Sequence, residues 1–355
     1  MKLNINKNTL ESAIALCNAY ADKKDNSAIT SHLLFEASED KLTIKASDYE
    51  FGLTYQIKKI KIDKEGFATV QAKSIVDMIK NLANEDITLE TVENSLFIRQ
   101  KSTKYKLAMF NHEDFPPFPS IEGKDKFDLE SSDLSRSLKK ILPVIDSNNP
   151  KPSLNGALID IKADKINFVS TDTKRLAVYT LNQSGDKEFA ISIPKKAIME
   201  LLKLFYEKIE FFYEESMLVA RSENFEFFTK LINDKFPDYE KVIPKTINQR
   251  FSFKTEDFLD CLKKISVVAD RMKLHFNKNK LIFEGISLDN MEAKTELEME
   301  LNLESEFSLN INVKHLIDFL NSIEAEEFEF EINEPNLAFI VRSGELQTVI
   351  MPVIL

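Results

Sequence analysis

Glycine is scarce in this chain. Only seven occur in 355 residues (Gly52, Gly66, Gly123, Gly156, Gly185, Gly285 and Gly344). No two stand close enough to form a phosphate-cradling loop or a dinucleotide fingerprint. Histidine is scarcer: His32, His112, His275 and His315 lie far apart without metal-ligand spacing, and no CxxC pair exists. Cys17 and Cys261 are the only cysteines. They are expected to be reduced and unpaired, as suits a cytoplasmic protein. No apolar run approaches the roughly 18 residues of a membrane span, and the opening MKLNINKN lacks the apolar stretch of a signal peptide. Neither cofactor nor metal is expected. The 58 acidic residues leave room for an acid–base pair, so a hydrolase stays as a rival reading. It requires a polar cleft with a perturbed carboxylate, and no motif supplies one. The expectation is a protein that is not an enzyme.

What the chain does have is repetition. Leu3–Ala21, Phe127–Ile145 and Phe251–Ala269 start 124 residues apart. Each reads as a short alternating strand, a polar turn, and a helix with apolar residues at i, i+4, i+7 and i+11. In register these are Leu10/Ile14/Cys17/Ala21, Leu134/Leu138/Ile141/Ile145 and Phe258/Leu262/Ile265/Ala269. A second unit lies between the copies: Val70–Ile79, Ile193–Leu202 and Ile311–Leu320 each run from strand into helix. They carry a lysine (Lys73, Lys196, Lys314) and an acid four residues on (Asp77, Glu200, Asp318). Six strand–helix units pair into three similar α+β domains, placed at 1–122, 123–246 and 247–355. Alternating strands are expected between the helices, at Lys41–Ala46, Ser95–Gln100, Lys165–Ser170, Met217–Ser222, Lys280–Glu284 and Leu337–Arg342. Each third is expected to close with a strand meeting a proline, at Pro116, Pro237 and Pro352. With 43% hydrophobic residues, 27 Phe among them, each third has the material for a core.

The net charge of −11 argues by itself against a nucleic-acid partner. Divided, it reads differently. The six predicted helices hold eleven basic residues (Lys73, Lys80, Arg136, Lys139, Lys140, Lys195, Lys196, Lys203, Lys263, Lys264, Lys314) against eight acids, about +3, which leaves about −14 elsewhere. Three of those acids, Asp133, Glu256 and Asp257, sit at helix starts, where they offset the dipole. A solvated face explains one such helix. Segregation over repeated helices equally supports a polyanion-facing surface.

Two further stretches stand out. In Leu154-Asn155-Gly156 followed by STDTKRLAV (170–178), a strand runs into a polar turn and returns apolar. This places a hydroxyl, a cation and a leucine at one edge, or simply makes a turn in which Asp172 caps its own backbone. The ending TVIMPVIL (348–355) is apolar where termini are usually polar, so it is a last core strand or part of an exposed apolar groove.

At these residues the chain resembles the bacterial β sliding clamps, the processivity subunit of DNA polymerase III. The matching segments are LNGALIDI (154–161), STDTKRLAV, ISIPKKAIMELL (191–202), KFPDYEKVIPK (235–245), MPVIL (351–355), the opening MKLNI and the EDFPPF loop. The resemblance covers the whole chain. It implies a homodimeric ring of three clamp domains per subunit, helices on the inner face and antiparallel sheets outside. Such a ring encircles duplex DNA without reading sequence. It binds polymerase subunits, a clamp loader and repair proteins through short peptides, and no membrane. A scaffold that binds proteins without encircling DNA is the alternative.

The resemblance also implies site residues. A peptide pocket takes Leu154, Thr171, Thr173, Lys174, Arg175, Leu176, Pro237, Lys241 and Val242 from the second domain. From the third come Asn312, His315, Val349, Met351, Pro352, Val353, Ile354 and Leu355. His315 alone reads as a helix-surface residue. Many clamps carry a basic residue where this chain has Ile354, which points to a more apolar peptide preference. DNA contacts are expected from Lys23 and Lys24 after the first helix and from Lys73, Lys195 and Lys196 at helix starts. Asn148 and Lys151 join them, in a loop where Pro152 and Ser153 replace the tyrosines of some clamps. Three similar domains in a row leave two different ends, so self-association is head to tail. Ser102–Met109 alternates, with Lys104 and Lys106 opposite Tyr105 and Leu107. Thr295–Glu306 alternates as a strand with an acidic face, including Glu298 and Glu300. These are expected to meet in the dimer, with Val267 and Val268 in its apolar part.

Overall fold

The computed structural model describes the chain except residues 26, 184–186, 205–208, 288, 290 and 354–355. Two compact units emerge, one of Met1–Ser131 with Lys203–Leu231, the other of Ser132–Leu202 with Ile232–Leu355. All strand pairs among the described residues are antiparallel.

The first unit holds helices α1 (Lys7–Cys17) and α2 (Ala72–Lys80). A five-stranded sheet runs in the order Ile62–Lys64, Lys2–Asn6, Asp86–Val92, Ser95–Gln100, Thr103–Ala108. An eight-stranded sheet runs Asp125–Leu129, Ile209–Glu214, Met217–Arg221, Phe225–Lys230, Phe51–Lys58, Lys41–Ser47, His32–Ser38, Gly66–Gln71. Two of the repeated polar turns act as caps here: Asn6 accepts from the Asn8 amide at 3.0 Å, and Gln71 from that of Ser74 at 2.6 Å.

The second unit holds most of α3 (Ser131–Ile141) and α4 (Lys195–Leu204), and all of α5 (Thr255–Ser266) and α6 (Val313–Ser322). Its eight-stranded sheet runs Phe189–Pro194, Gly156–Ile161, Ile166–Thr171, Arg175–Leu181, Leu346–Ile350, Phe339–Ser343, Glu327–Ile332, Gln249–Lys254. A four-stranded sheet runs Glu292–Glu298, Lys280–Ile286, Arg271–Asn277, Phe307–Asn312. Gly156 permits close packing of two strands, since a Cβ there would lie 2.2 Å from the Ile193 carbonyl oxygen.

Both eight-stranded sheets continue past the expected domain boundaries. Phe225–Lys230 pairs with Phe51–Lys58 in the first unit, and Arg175–Leu181 with Leu346–Ile350 in the second.

The expected helix periodicity buries its residues, with one correction. Leu10, Ile14 and Cys17 are fully buried, and Ala21 is buried too but lies beyond α1. Ile145 and Ala269 likewise follow the ends of α3 and α5. After α3 the cause is Pro143, which has no N–H to continue the ladder, so Leu142–Val144 tightens to a 3-10 turn. The strands also stop short of two prolines. They end at Ala108 and Lys230, well before Pro116 and Pro237, because the chain leaves the ladder to cross a sheet face; only Pro352 follows closely, after Ile350. The alternation of Thr295–Glu306 makes a strand only to Glu298. Beyond it the Met299 and Leu301 amides bond the carbonyls of Asn279 and Lys278, and Leu301 and Leu303 turn inward.

Candidate functional site

The turn inside STDTKRLAV is held by its own side chains. Asp172 Oδ1 accepts from the amides of Lys174 (3.0 Å) and Arg175 (2.9 Å). Thr171 Oγ1 donates to the Arg175 carbonyl at 2.7 Å and accepts from the Thr173 amide at 3.1 Å. Thr173 takes a left-handed φ of 72°. The self-capping reading of Asp172 is therefore right as local structure. The turn leaves Thr173 and Lys174 exposed at its tip.

Arg175 faces inward, leaving Lys174 as the exposed cation of the turn. It is 6% exposed, and its Nε meets Asp172 Oδ2 at 3.0 Å. Nη2 donates to Asp318 Oδ2 (2.8 Å) and to the Pro143 carbonyl (3.0 Å), and Nη1 to the His315 carbonyl (3.5 Å). His315 is half-buried rather than on the helix surface. Burial and then the Arg175 charge push its imidazole down to about 4, against the opposing pull of Asp172 and Asp318. Among the described residues, its Nδ1 and the Oδ1 of Asn310 are buried without hydrogen-bond partners. Asn312 is committed locally, its side chain capping α6 through the Lys314 amide at 3.0 Å.

Leu176 and Val349 are neighbours in register and share a buried cluster with Leu158, Val169, Val178, Ile340, Phe236 and Tyr239. Pro237, Lys241 and Val242 are exposed beside it, Val242 at 48%. Lys241 pairs with Asp238 at 2.7 Å, which raises its pKa. Leu154 is buried in the 3-10 turn Pro152–Leu154. The tail leaves the sheet after Ile350 and stays tied: the Met351 amide donates to Lys174 O (2.9 Å), and that of Val353 to Asn310 O (2.8 Å). Met351 is 45% exposed, and Pro352 and Val353 are half-buried. Ile354 and Leu355 lie outside the described residues. The result is an apolar floor, a basic lip and a terminal strand end with exposed methionine, suited to an extended peptide with apolar anchors.

Of the expected DNA contacts, Lys23, Lys24 and Lys73 are exposed in the first unit. In the second, Lys196, Asn148 and Lys151 are exposed, whereas the Lys195 ammonium bonds Ile145 O (2.7 Å) and Ser147 Oγ (2.8 Å). Lys195 thus secures the loop that carries Asn148 and Lys151. Asp146, Asn149 and Asn155 brace the same loop, Asn155 Oδ1 accepting from the Asn149 amide at 2.8 Å.

Both expected dimer strands lie at sheet edges. On Thr103–Ala108, Lys104 and Lys106 point to solvent over the Phe97 ring (4.6 and 5.8 Å), while Tyr105 and Leu107 turn inward. On Glu292–Glu298, Glu296 pairs with Lys280 and Glu298 is exposed; Glu300 follows the strand's end. Val267 is 83% exposed and Val268 half-buried.

Sequence reasoning missed Asp160 and Asn167, which bond the Tyr239 hydroxyl, although a polar residue inside the apolar run LIDI was a signal. It also missed Pro143 and did not assign Asp318 to Arg175, though Asp318 stood out as the repeated acid.

Residues 1–119, 128–238 and 240–354 match the N-terminal, central and C-terminal domains of the DNA polymerase III beta subunit. The beta sliding clamp of Helicobacter pylori strain J99 is 35% identical, with all of both chains covered. The structure of the Helicobacter pylori beta clamp bound to a DNA ligase peptide superposes with a TM-score of 0.92 at 36% identity, again over both full chains. The DNA polymerase III subunit beta of Pseudomonas aeruginosa, 22% identical, shares the fold over both full chains with a TM-score of 0.95. No helix of the described residues is long and apolar enough to cross a membrane. With three consecutive domains matched and the whole length shared, the chain belongs to the beta sliding clamp family, the beta subunits of bacterial DNA polymerase III.

Proposed function

We propose that two copies of this chain close head to tail around duplex DNA and hold polymerases, a clamp loader and repair proteins there through short peptides. The family is a processivity factor with no catalytic activity of its own, and it works by tethering. The observation that carries this reading is the match of all three family domains over the full chain. Their limits also support domains at 1–122, 123–246 and 247–355. Charge supports it as well. The observed helices hold twelve basic residues, Lys7 included, and eight acidic ones, a balance of +4 in a chain of −11. Diffuse attraction to phosphate is then weak, and Lys23, Lys24, Lys73 and Lys196, with Asn148 and Lys151, make sliding contacts.

The peptide pocket is assigned to the floor around Leu176 and Val349, the lip of Thr173, Lys174, Lys241 and Val242, and the tail. That a Helicobacter pylori relative was solved with a DNA ligase peptide supports a peptide of that kind as ligand. The Thr103–Ala108 edge of one copy meets the Glu292–Glu298 edge of the next, with Val267 and Val268 alongside. A cytoplasmic location fits two buried, free cysteines.

The test is retention on DNA. After loading, the protein should remain on a closed circle and run off once the circle is cut. Equal retention on both forms, or none on either, would favour a scaffold that does not encircle DNA.

A further inference from the structure

In each unit the chain crosses one face of the eight-stranded sheet with a phenylalanine–proline segment, Phe115-Pro116-Pro117-Phe118 in the first and Phe236-Pro237-Asp238-Tyr239 in the second. Aligned on the prolines, Phe118 and Tyr239 are equivalent. The sheets beneath align by register. His32 opposes Gln71 and Gly156 opposes Pro194, each partner standing immediately before a helix. Glu36 is then the counterpart of Asp160. Cross-strand pairing makes Thr43 the counterpart of Asn167, and Gln56 that of Thr180.

Tyr239 carries a hydroxyl that Phe118 lacks, and the polar residues beneath the two rings differ as well. In the first unit Glu36, Thr43, Gln56 and Phe118 line an open groove of about 890 Å³. Phe118 turns edge-on to Phe228 at 5.1 Å, and Glu36 pairs with Lys45 at 3.2 Å. In the second, the Tyr239 hydroxyl donates to Asp160 Oδ2 at 2.7 Å and accepts from Asn167 Nδ2 at 2.9 Å, while Asn167 Oδ1 accepts from Thr180 at 2.9 Å. Asp160 and Asn167 are 7% and 5% exposed, so this chain of bonds is screened from water. The Tyr239 carbonyl in turn accepts from the Val242 amide at 3.1 Å, and the Tyr239 ring packs in the cluster of Leu176 and Val349.

We propose that Tyr239 is a positioning residue of the peptide pocket: its hydroxyl, gripped by Asp160 and Asn167, fixes the turn Tyr239–Lys241 and so sets where Lys241 and Val242 meet a bound peptide. This rests on the pocket assigned above. Tyr239→Phe keeps the ring in the core but frees the turn. Titration of a DNA ligase peptide should then give a Kd about tenfold weaker, expressed mainly in faster dissociation. Hydrogen exchange should show the Lys241 and Val242 amides losing protection, while those of Ile166–Thr171 and Arg175–Leu181 keep theirs. Asp160→Asn leaves an acceptor for the hydroxyl and should hold affinity within about twofold. Should Tyr239→Phe not fold, Asn167→Ala removes the other side of the grip and carries the same test. Unchanged affinity in Tyr239→Phe, or protection lost evenly across the sheet, would overturn the positioning role. If the unaltered protein ignores the peptide, the pocket assignment itself fails, and this role with it.

Discussion

Arg175 keeps a full charge almost out of water because every side of its guanidinium finds an acceptor: two carboxylates and two carbonyls. Breaking such a set is worse than never having built it, since the remaining charges stay buried. Arg175→Ala should therefore cost about 3 kcal/mol in urea unfolding, well beyond an exposed pair such as Lys241 with Asp238. His315 has the opposite difficulty. Its folded pKa of about 4 lies below the ordinary 6.5, so the unfolded chain takes up the proton first as pH falls. Its contribution is fully present above about pH 6.5 and is lost as pH drops towards 4. Because the ring is partly exposed, solvent screening reduces this to about 1–2 kcal/mol. Unfolding free energies between pH 7 and 4.5 should fall more steeply for the unaltered protein than for His315→Gln.

At the scale of elements, two of the sheet-edge strands carry complementary character. Thr103–Ala108 shows lysines to solvent, and Glu292–Glu298 is mostly acidic on its exposed face. Lys104→Glu with Lys106→Glu should weaken the dimer in sedimentation, and more at low salt, where screening is least. The tail is a second such element. Among the described residues its anchors beyond the last strand are two main-chain bonds, so deleting Met351–Leu355 should abolish peptide binding and leave the dimer intact. Loss of the dimer as well would make the tail a structural strand end. Much at this scale was readable in advance, because alternation and helical period are local: Ser95–Gln100 and the buried stripe of α5 are where their patterns put them. What was not readable is long-range. Tyr239 finds Asp160 across 79 residues and Arg175 finds Asp318 across 143, and no periodicity encodes such pairings. The strand expected through Glu306 failed for a related reason. Backbone partners at Lys278 and Asn279 outcompeted a pattern that was locally sound.

For the molecule as a whole, the middle third belongs to both units, lending strands to each eight-stranded sheet. Neither large sheet is complete within one of the three expected domains. This has a consequence for synthesis. The strand Phe51–Lys58 leaves the ribosome 174 residues before Phe225, where its partner strand begins. At about 5–20 residues per second, it waits roughly 9–35 s with an unpaired edge. During that interval the nascent chain offers a template for any other strand, its own copies included. A fragment of residues 1–122 reproduces the waiting state permanently. It should self-associate in light scattering as concentration rises, and a peptide of residues 225–230, which re-pairs the Phe51–Lys58 edge, should suppress this. A nascent clamp at high expression is thus most vulnerable in the middle of its own translation, before it has met DNA or any partner.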